Sequence, residues 1–234
     1  DISFTKDGVA ILSHEPIFNH EITTKPDGKF VTEQEEKQLN IFQMNFEETK
    51  KFDVGLKVHP RFPQQQKMAA QKPALSELID SVEAYIQQQH LPLCFYNIET
   101  KTMPETDGIF HPAPAAFVDQ LMQVIQSKGI ENRVIIQSFD MRTLKYLHQK
   151  YPSIYTALLI ENSDKTSLVA QLTALGFYPT IYSPNDALVN PALIEACHQK
   201  NIKVIPWTVN SKARIEALRN MGVDGIISDY PNLF

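Results

Sequence analysis

From residue 91 onward, short apolar runs alternate with amphipathic stretches. The runs are LPLCFYNIE (91–99), RVIIQSF (133–139), YTALLIE (155–161), YPTIYS (178–183), IKVIPWTV (202–209) and DGIIS (224–228). They are rich in Val, Ile, Tyr and Phe and show little polar alternation, the pattern of strands buried on both faces of a parallel sheet. The stretches between them have helical period. In PALSELIDSVEAYI, apolar residues fall at 75, 78, 79, 82, 85 and 86, one stripe of a helix entered at Pro73. FVDQLMQVI (117–125), LIEACHQK (193–200) and ARIEALRNM (213–221) behave alike, and Gly222 stands where a left-handed cap is expected.

Strand then helix, repeated over short links, predicts an α/β fold of the (β/α)₈, or TIM, barrel type. Six strands after residue 90 and one opening segment make seven. A closed barrel needs eight, so the sequence is expected to enter one βα unit late. Residues 15–72 break the alternation. They are polar, with Pro-Asp-Gly at 26–28, a Thr32-x-x-Glu35 capping pattern and the Pro- and Gln-rich HPRFPQQQK at 59–67. They are expected to form an insertion after the second strand, at the barrel mouth and partly helical, within one domain spanning 1–234.

The opening DISFTKDGVAILSHEP reads as strand, turn, strand. The Lys-Asp-Gly turn at 6–8 returns the chain, which brings His14 back beside Asp1. In a barrel, side chains at the C-terminal ends of strands face the mouth, where active sites lie. Asn97, Glu99 and Lys101 alternate on NIETK and share a face. Glu99 and Lys101 suit cation and anion binding side by side, or a plain solvated ion pair. Trp207, the only tryptophan, ends its run as either core or a flat wall for a small substrate. Glu161 and Asp229 read as loop-capping and turn-forming residues. His90, His148 and His198 fall on helices or at their ends. His20, His59 and His111 fall in loops, and the first two are candidates to overhang the mouth.

Composition narrows the functional classes. A net charge of −5 provides no electrostatic footprint for nucleic acid. No apolar stretch is long enough to cross a bilayer, so no stable membrane insertion is expected. Cys94 and Cys197 read as small core hydrophobes rather than a disulfide framework.

Together these residues resemble the glycerophosphodiester phosphodiesterase family. The opening is similar to its Asp-x-x-x-Thr-x-Asp-Gly-x-x-x-x-x-His segment, and NIETK to its Asn-Ile-Glu-x-Lys strand. QSFD (137–140), PWTVN (206–210) and GVDGIISDYP (222–231) resemble its later motifs in order. The resemblance implies hydrolysis of small-molecule glycerophosphodiesters to glycerol 3-phosphate and an alcohol, with one divalent cation, Mg²⁺ or Ca²⁺. It implies Asp1 and Glu99 as metal ligands and His14 as one of two acid–base histidines. It implies Lys101 as a phosphate contact and Trp207 as pocket wall. It also implies a preceding βα unit, carrying a His-Arg-Gly motif and a third carboxylate two residues before Asp1. Attack by water and attack by the glycerol 2-hydroxyl through a cyclic phosphate both fit. A non-catalytic barrel binding a phosphorylated ligand, and a related phospholipid phosphodiesterase, are the alternative readings.

Overall fold

A computed structural model describes all 234 residues, Asp1–Phe234. The chain forms two compact units, Asp1–Arg133 and Val134–Phe234.

In the first unit, β1 (Ile2–Phe4) and β2 (Ala10–Leu12) form an antiparallel hairpin with Ile2 opposite Leu12. The turn is held by Thr5, whose hydroxyl donates to Asp7 Oδ1 at 2.6 Å and accepts from Val9 N–H at 3.0 Å. A short helix α1 (Phe46–Thr49) follows, then α2 (Leu75–Gln89) and β3 (Tyr96–Glu99), and α3 (Pro114–Ser127) completes the regular elements. Two long-range pairings set the register of the site. Ile2 bridges Thr100 in parallel, laying β1 along the end of β3. Ile11 bridges Ala74, and Leu12 N–H donates to Pro73 O at 3.0 Å, tying the entry of α2 to β2. Phe4 and Phe117 are both fully buried and meet edge to face at 4.7 Å.

Residues 15–72 contain 3₁₀ turns at Glu36–Gln38 and Ile41–Gln43 besides α1, so the segment is partly helical. Its Phe18 and Ile41 pack with Ile11 of β2 as a small buried cluster, and Phe18 stacks on Phe52 at 4.3 Å. The loop after Asp53 is closed at its neck by the Asp53 carboxylate, which accepts from the N–H groups of Gly55, Leu56 and Ala70. Gly55 is required there, because a Cβ would lie 2.1 Å from Met68 O.

The second unit is a parallel ladder of β4 (Val134–Ser138), β5 (Tyr155–Ile160), β6 (Ile181–Pro184) and β7 (Lys203–Val204). Its register sets Ile136 beside Thr156, Leu158 beside Tyr182, and Tyr182 beside Val204. Helices α4 (Met141–Lys150), α5 (Leu168–Leu175), α6 (Pro191–His198) and α7 (Lys212–Met221) cover it. Leu144, Leu158, Leu172, Tyr182, Ile194, Cys197, Val204, Ile215 and Leu218 belong to one buried cluster. Burial pushes the Cys197 thiol up to about 11, the behaviour of a structural cysteine. Gly222 caps α7 at φ 90°.

Several expected strands are shorter than their apolar runs, and prolines explain most of the difference. The run 91–99 becomes strand only from Tyr96, after Pro92, and Leu91, Leu93 and Phe95 are exposed. The run 178–183 becomes strand only at Ile181, after Pro179. In 202–209 regular pairing stops at Val204, although Ile205 and Trp207 N–H still reach the carbonyls of Tyr182 and Pro184; Pro206 between them has no N–H to offer. The run 224–228 makes ladder-like bonds, Asp224 N–H to Val204 O and Ile227 N–H to Pro206 O, without forming a regular strand. Tyr85, expected on the apolar stripe of α2, is exposed: it stands about 100° round the helix from Ile86. Cys94 is half-buried rather than core. No helix is long and apolar enough to cross a membrane.

Leu158 is fully buried at the centre of the second unit. Leu158→Ala is expected to lower unfolding free energy by about 2–5 kcal/mol in urea titrations. A loss below about 1 kcal/mol would contradict the burial described here.

Candidate active site

The hairpin and the end of β3 bring Asp1, His14, Glu99 and Lys101 into one cluster in the first unit. The Ile2–Thr100 bridge sets Asp1 beside residues 99–101, and Ser13 N–H donates to Asp1 O at 3.1 Å, which returns His14 to the same place. Lys101 Nζ lies at the centre. It is 2.6 Å from Glu99 Oε1, 3.8 Å from Asp1 Oδ1 and 3.4 Å from His14 Nε2. Glu99 is buried, while the His14 side chain is largely exposed. A buried carboxylate needs such a partner, because removal from water penalises an uncompensated charge.

The imidazole is held from both sides. Lys101 can only donate to Nε2, so Nδ1 carries the ring proton and donates to Glu15 Oε1 at 2.6 Å. Asn19 Nδ2 donates to the other oxygen of Glu15 at 2.8 Å. The hydrogen bond from His14, partly offset by burial and helped by the charge of Lys72 and by Asn19, holds the Glu15 carboxyl at about 2. A carboxylate that orients a histidine through Nδ1 turns Nε2 away from it, here to the Lys101 ammonium at 3.4 Å.

Asp1 and Glu99 present two carboxylates to one cationic atom, the donor chemistry of a hard divalent ion. Such ions take roughly six to eight oxygen ligands in the case of Ca²⁺ and about six in that of Mg²⁺. No group of three or more His, Cys, Asp or Glu is placed so that together they could hold a metal ion. The two carboxylates therefore match the donor chemistry of such an ion but fill only part of the sphere it takes.

Trp207 lies in the second unit, half-buried, its Nε1 donating to Ser183 O at 2.8 Å and its ring 5.5 Å edge-on from Phe139. Glu161 is exposed, and Asp229 Oδ2 accepts from Asn210 at 2.8 Å. His20 pairs with Glu36 at 2.6 Å, and His59 stands 3.9 Å from Glu21. His111 is buried: Nε2 accepts from Met103 N–H at 3.0 Å and Nδ1 reaches Pro112 O at 2.9 Å. That histidine staples a loop.

Four contributors were not read from sequence. Ser13, Glu15, Asn19 and Lys72 lie behind His14. Glu15 had one available signal, its adjacency to a strand-end histidine. Lys72 had none, since it meets Ser13 across 59 positions.

Comparison with known proteins follows the same lines. The sequence profile of the glycerophosphoryl diester phosphodiesterase family matches residues 1–233. A glycerophosphodiester phosphodiesterase of Caldanaerobacter subterraneus subsp. tengcongensis is 27% identical over 233 residues, 99% of this chain and 81% of its own. One from Bacillus subtilis is 26% identical over 238 residues, 100% of this chain and 73% of its own. A crystal structure from Silicibacter pomeroyi, assigned to the same enzyme class, superposes with a TM-score of 0.84 at 26% identity, covering 100% of this chain and 79% of that one. An Oleispira antarctica phosphodiesterase, solved with its product sn-glycerol-3-phosphate, superposes at 0.71 with 18% identity, covering 99% and 80%, and shares the fold. The fold class is the α/β TIM barrel, as the alternation of strands and helices predicts.

Glu15 is ionised in the folded protein down to about pH 2, against 4.5 ordinarily. Its depressed value stabilises the fold above pH 4.5, and that contribution disappears as pH falls towards 2. In urea titrations, the stability advantage of wild type over Glu15→Gln should narrow as pH falls from 4.5 towards 2. A difference that stays the same throughout would contradict the His14–Glu15 pairing.

Proposed function

Because the chain belongs to the glycerophosphoryl diester phosphodiesterase family, we propose that it hydrolyses glycerophosphodiesters to glycerol 3-phosphate and an alcohol, using a divalent cation and the imidazole of His14. The chain is an enzyme of that class, a phosphoric diester hydrolase. The observation that carries the finer reading is the convergence of two carboxylates and an imidazole on the Lys101 ammonium, all within 4 Å. The product bound by the Oleispira antarctica enzyme supports glycerol 3-phosphate as the product here.

In this reading Asp1 and Glu99 would hold the cation, Mg²⁺ or Ca²⁺, which when bound would supply Lewis-acid polarisation of a phosphoryl oxygen. Lys101 turns its point charge to the phosphate. His14 acts as general base: Nε2 takes a proton from the attacking water, the new P–O bond forms, the P–O bond to the alcohol breaks, and the departing alkoxide takes up a proton from solvent to leave as the free alcohol. Glu15 keeps Nδ1 protonated through that transfer and stabilises the imidazolium that results. Trp207, braced by Phe139, offers a flat wall to the glycerol or head group.

His14→Ala and Glu99→Ala should each reduce kcat/KM for glycerophosphocholine by about 10²–10⁴-fold. Near-normal turnover in either variant would refute the site. A chelator should abolish activity, with Mg²⁺ or Ca²⁺ restoring it; full activity in the chelator would remove the cation from the account. Trp207→Ala should raise KM with little change in kcat, the signature of uniform binding lost.

A further inference from the structure

Of all the lysines, Lys72 alone is buried, with 5% of its surface exposed. It is held against β2 by the backbone bond from Leu12 to Pro73. Its Nζ donates to Ser13 Oγ at 2.7 Å and stands 5.5 Å above the Phe18 ring. Burial lowers its pKa to about 8, with the Glu15 carboxylate opposing that shift. An apolar side chain of the same length would fill this volume without taking an ammonium out of water. Packing therefore does not account for a lysine here.

Its contacts lead to His14. The Ser13 hydroxyl, itself buried, accepts from Lys72 and donates to Glu15 O at 2.5 Å, closing the turn that carries His14. The carboxylate of the same Glu15 receives the His14 Nδ1 proton at 2.6 Å. We propose that Lys72 is a positioning residue: through Ser13 it clamps the 13–15 turn and, by its charge, holds the Glu15 carboxylate where it fixes His14 in the Nδ1–H tautomer, with Nε2 facing Lys101. Lys72 reaches no reacting atom and acts only through His14, so its catalytic consequence rests on the role given to His14 above.

The test combines Lys72→Met, which keeps the volume and removes the donor, with Ser13→Ala, which cuts the relay while leaving the lysine in place. The first readout is the ¹⁵N NMR signature of the His14 ring, read from its neutral form at a pH below about 8, where Lys72 still carries its charge. Wild type should show Nδ1–H, and both variants should shift towards Nε2–H. The second is steady-state kinetics with glycerophosphocholine: kcat should fall about 10- to 100-fold with KM nearly unchanged, the scale of losing a group that orients a functional ligand. Lys72→Met combined with Glu15→Gln should lose little more than Glu15→Gln alone, because both act through one imidazole. An unchanged tautomer in both variants overturns the proposal, whatever happens to kcat. If wild type shows no turnover, the enzyme reading fails, while the tautomer measurement still decides the role of Lys72. If Lys72→Met does not fold, Ser13→Ala decides alone.

Discussion

One ammonium organises the first unit's chemistry. Lys101 Nζ is shared by Glu99, Asp1 and His14, and it meets the buried Glu99 carboxylate at 2.6 Å. Two carboxylates brought together repel each other, so the cluster is stable only around a cation. This makes the site polar and preorganised at once. In the proposed reaction an incoming phosphate would compete for the lysine and a divalent ion for the carboxylates. Its geometry depends on the Ile2–Thr100 bridge, which lays the hairpin against the end of β3.

Beneath this cluster lies a second layer that residues 15–72 largely supply. The segment begins at Glu15, which holds His14, and ends at Lys72, which holds Ser13. Between them Phe18 and Ile41 anchor it on Ile11 of β2, so a strand of the hairpin and the segment share one apolar cluster. A buried polar network is stable only when its members are satisfied, and here Lys72, Ser13, Glu15, Asn19 and His14 satisfy one another in series. The segment contributes to the site at both of its ends while its middle carries loops and short helical turns.

The parts legible in the sequence are those governed by local pattern. The period of α2, α3, α6 and α7 and the hairpin turn at residues 6–8 follow from residue spacing, as does the cap at Gly222. His14, Glu99 and Lys101 were visible because they fall at or just past strand ends in an alternating βα chain, and Asp1 because the turn at residues 6–8 returns His14 beside it. Strand lengths were less legible, because an apolar run does not show where a proline such as Pro206 interrupts pairing. His111 looked like a loop histidine and is buried, since a loop's polar label says nothing of what later folds over it. Lys72 was invisible for a deeper reason: its contact with Ser13 arises from tertiary pairing, and no local pattern marks the lysine between Gln71 and Pro73 as buried.

The central claim is that this site cleaves a glycerophosphodiester on a particular side of phosphorus. ³¹P NMR of glycerophosphocholine incubated with the protein and a divalent cation tests it directly. The account predicts that the diester signal is replaced by that of glycerol 3-phosphate, with free choline released in equal amount. An unchanged diester, or phosphocholine as the phosphorus-containing product, would contradict it.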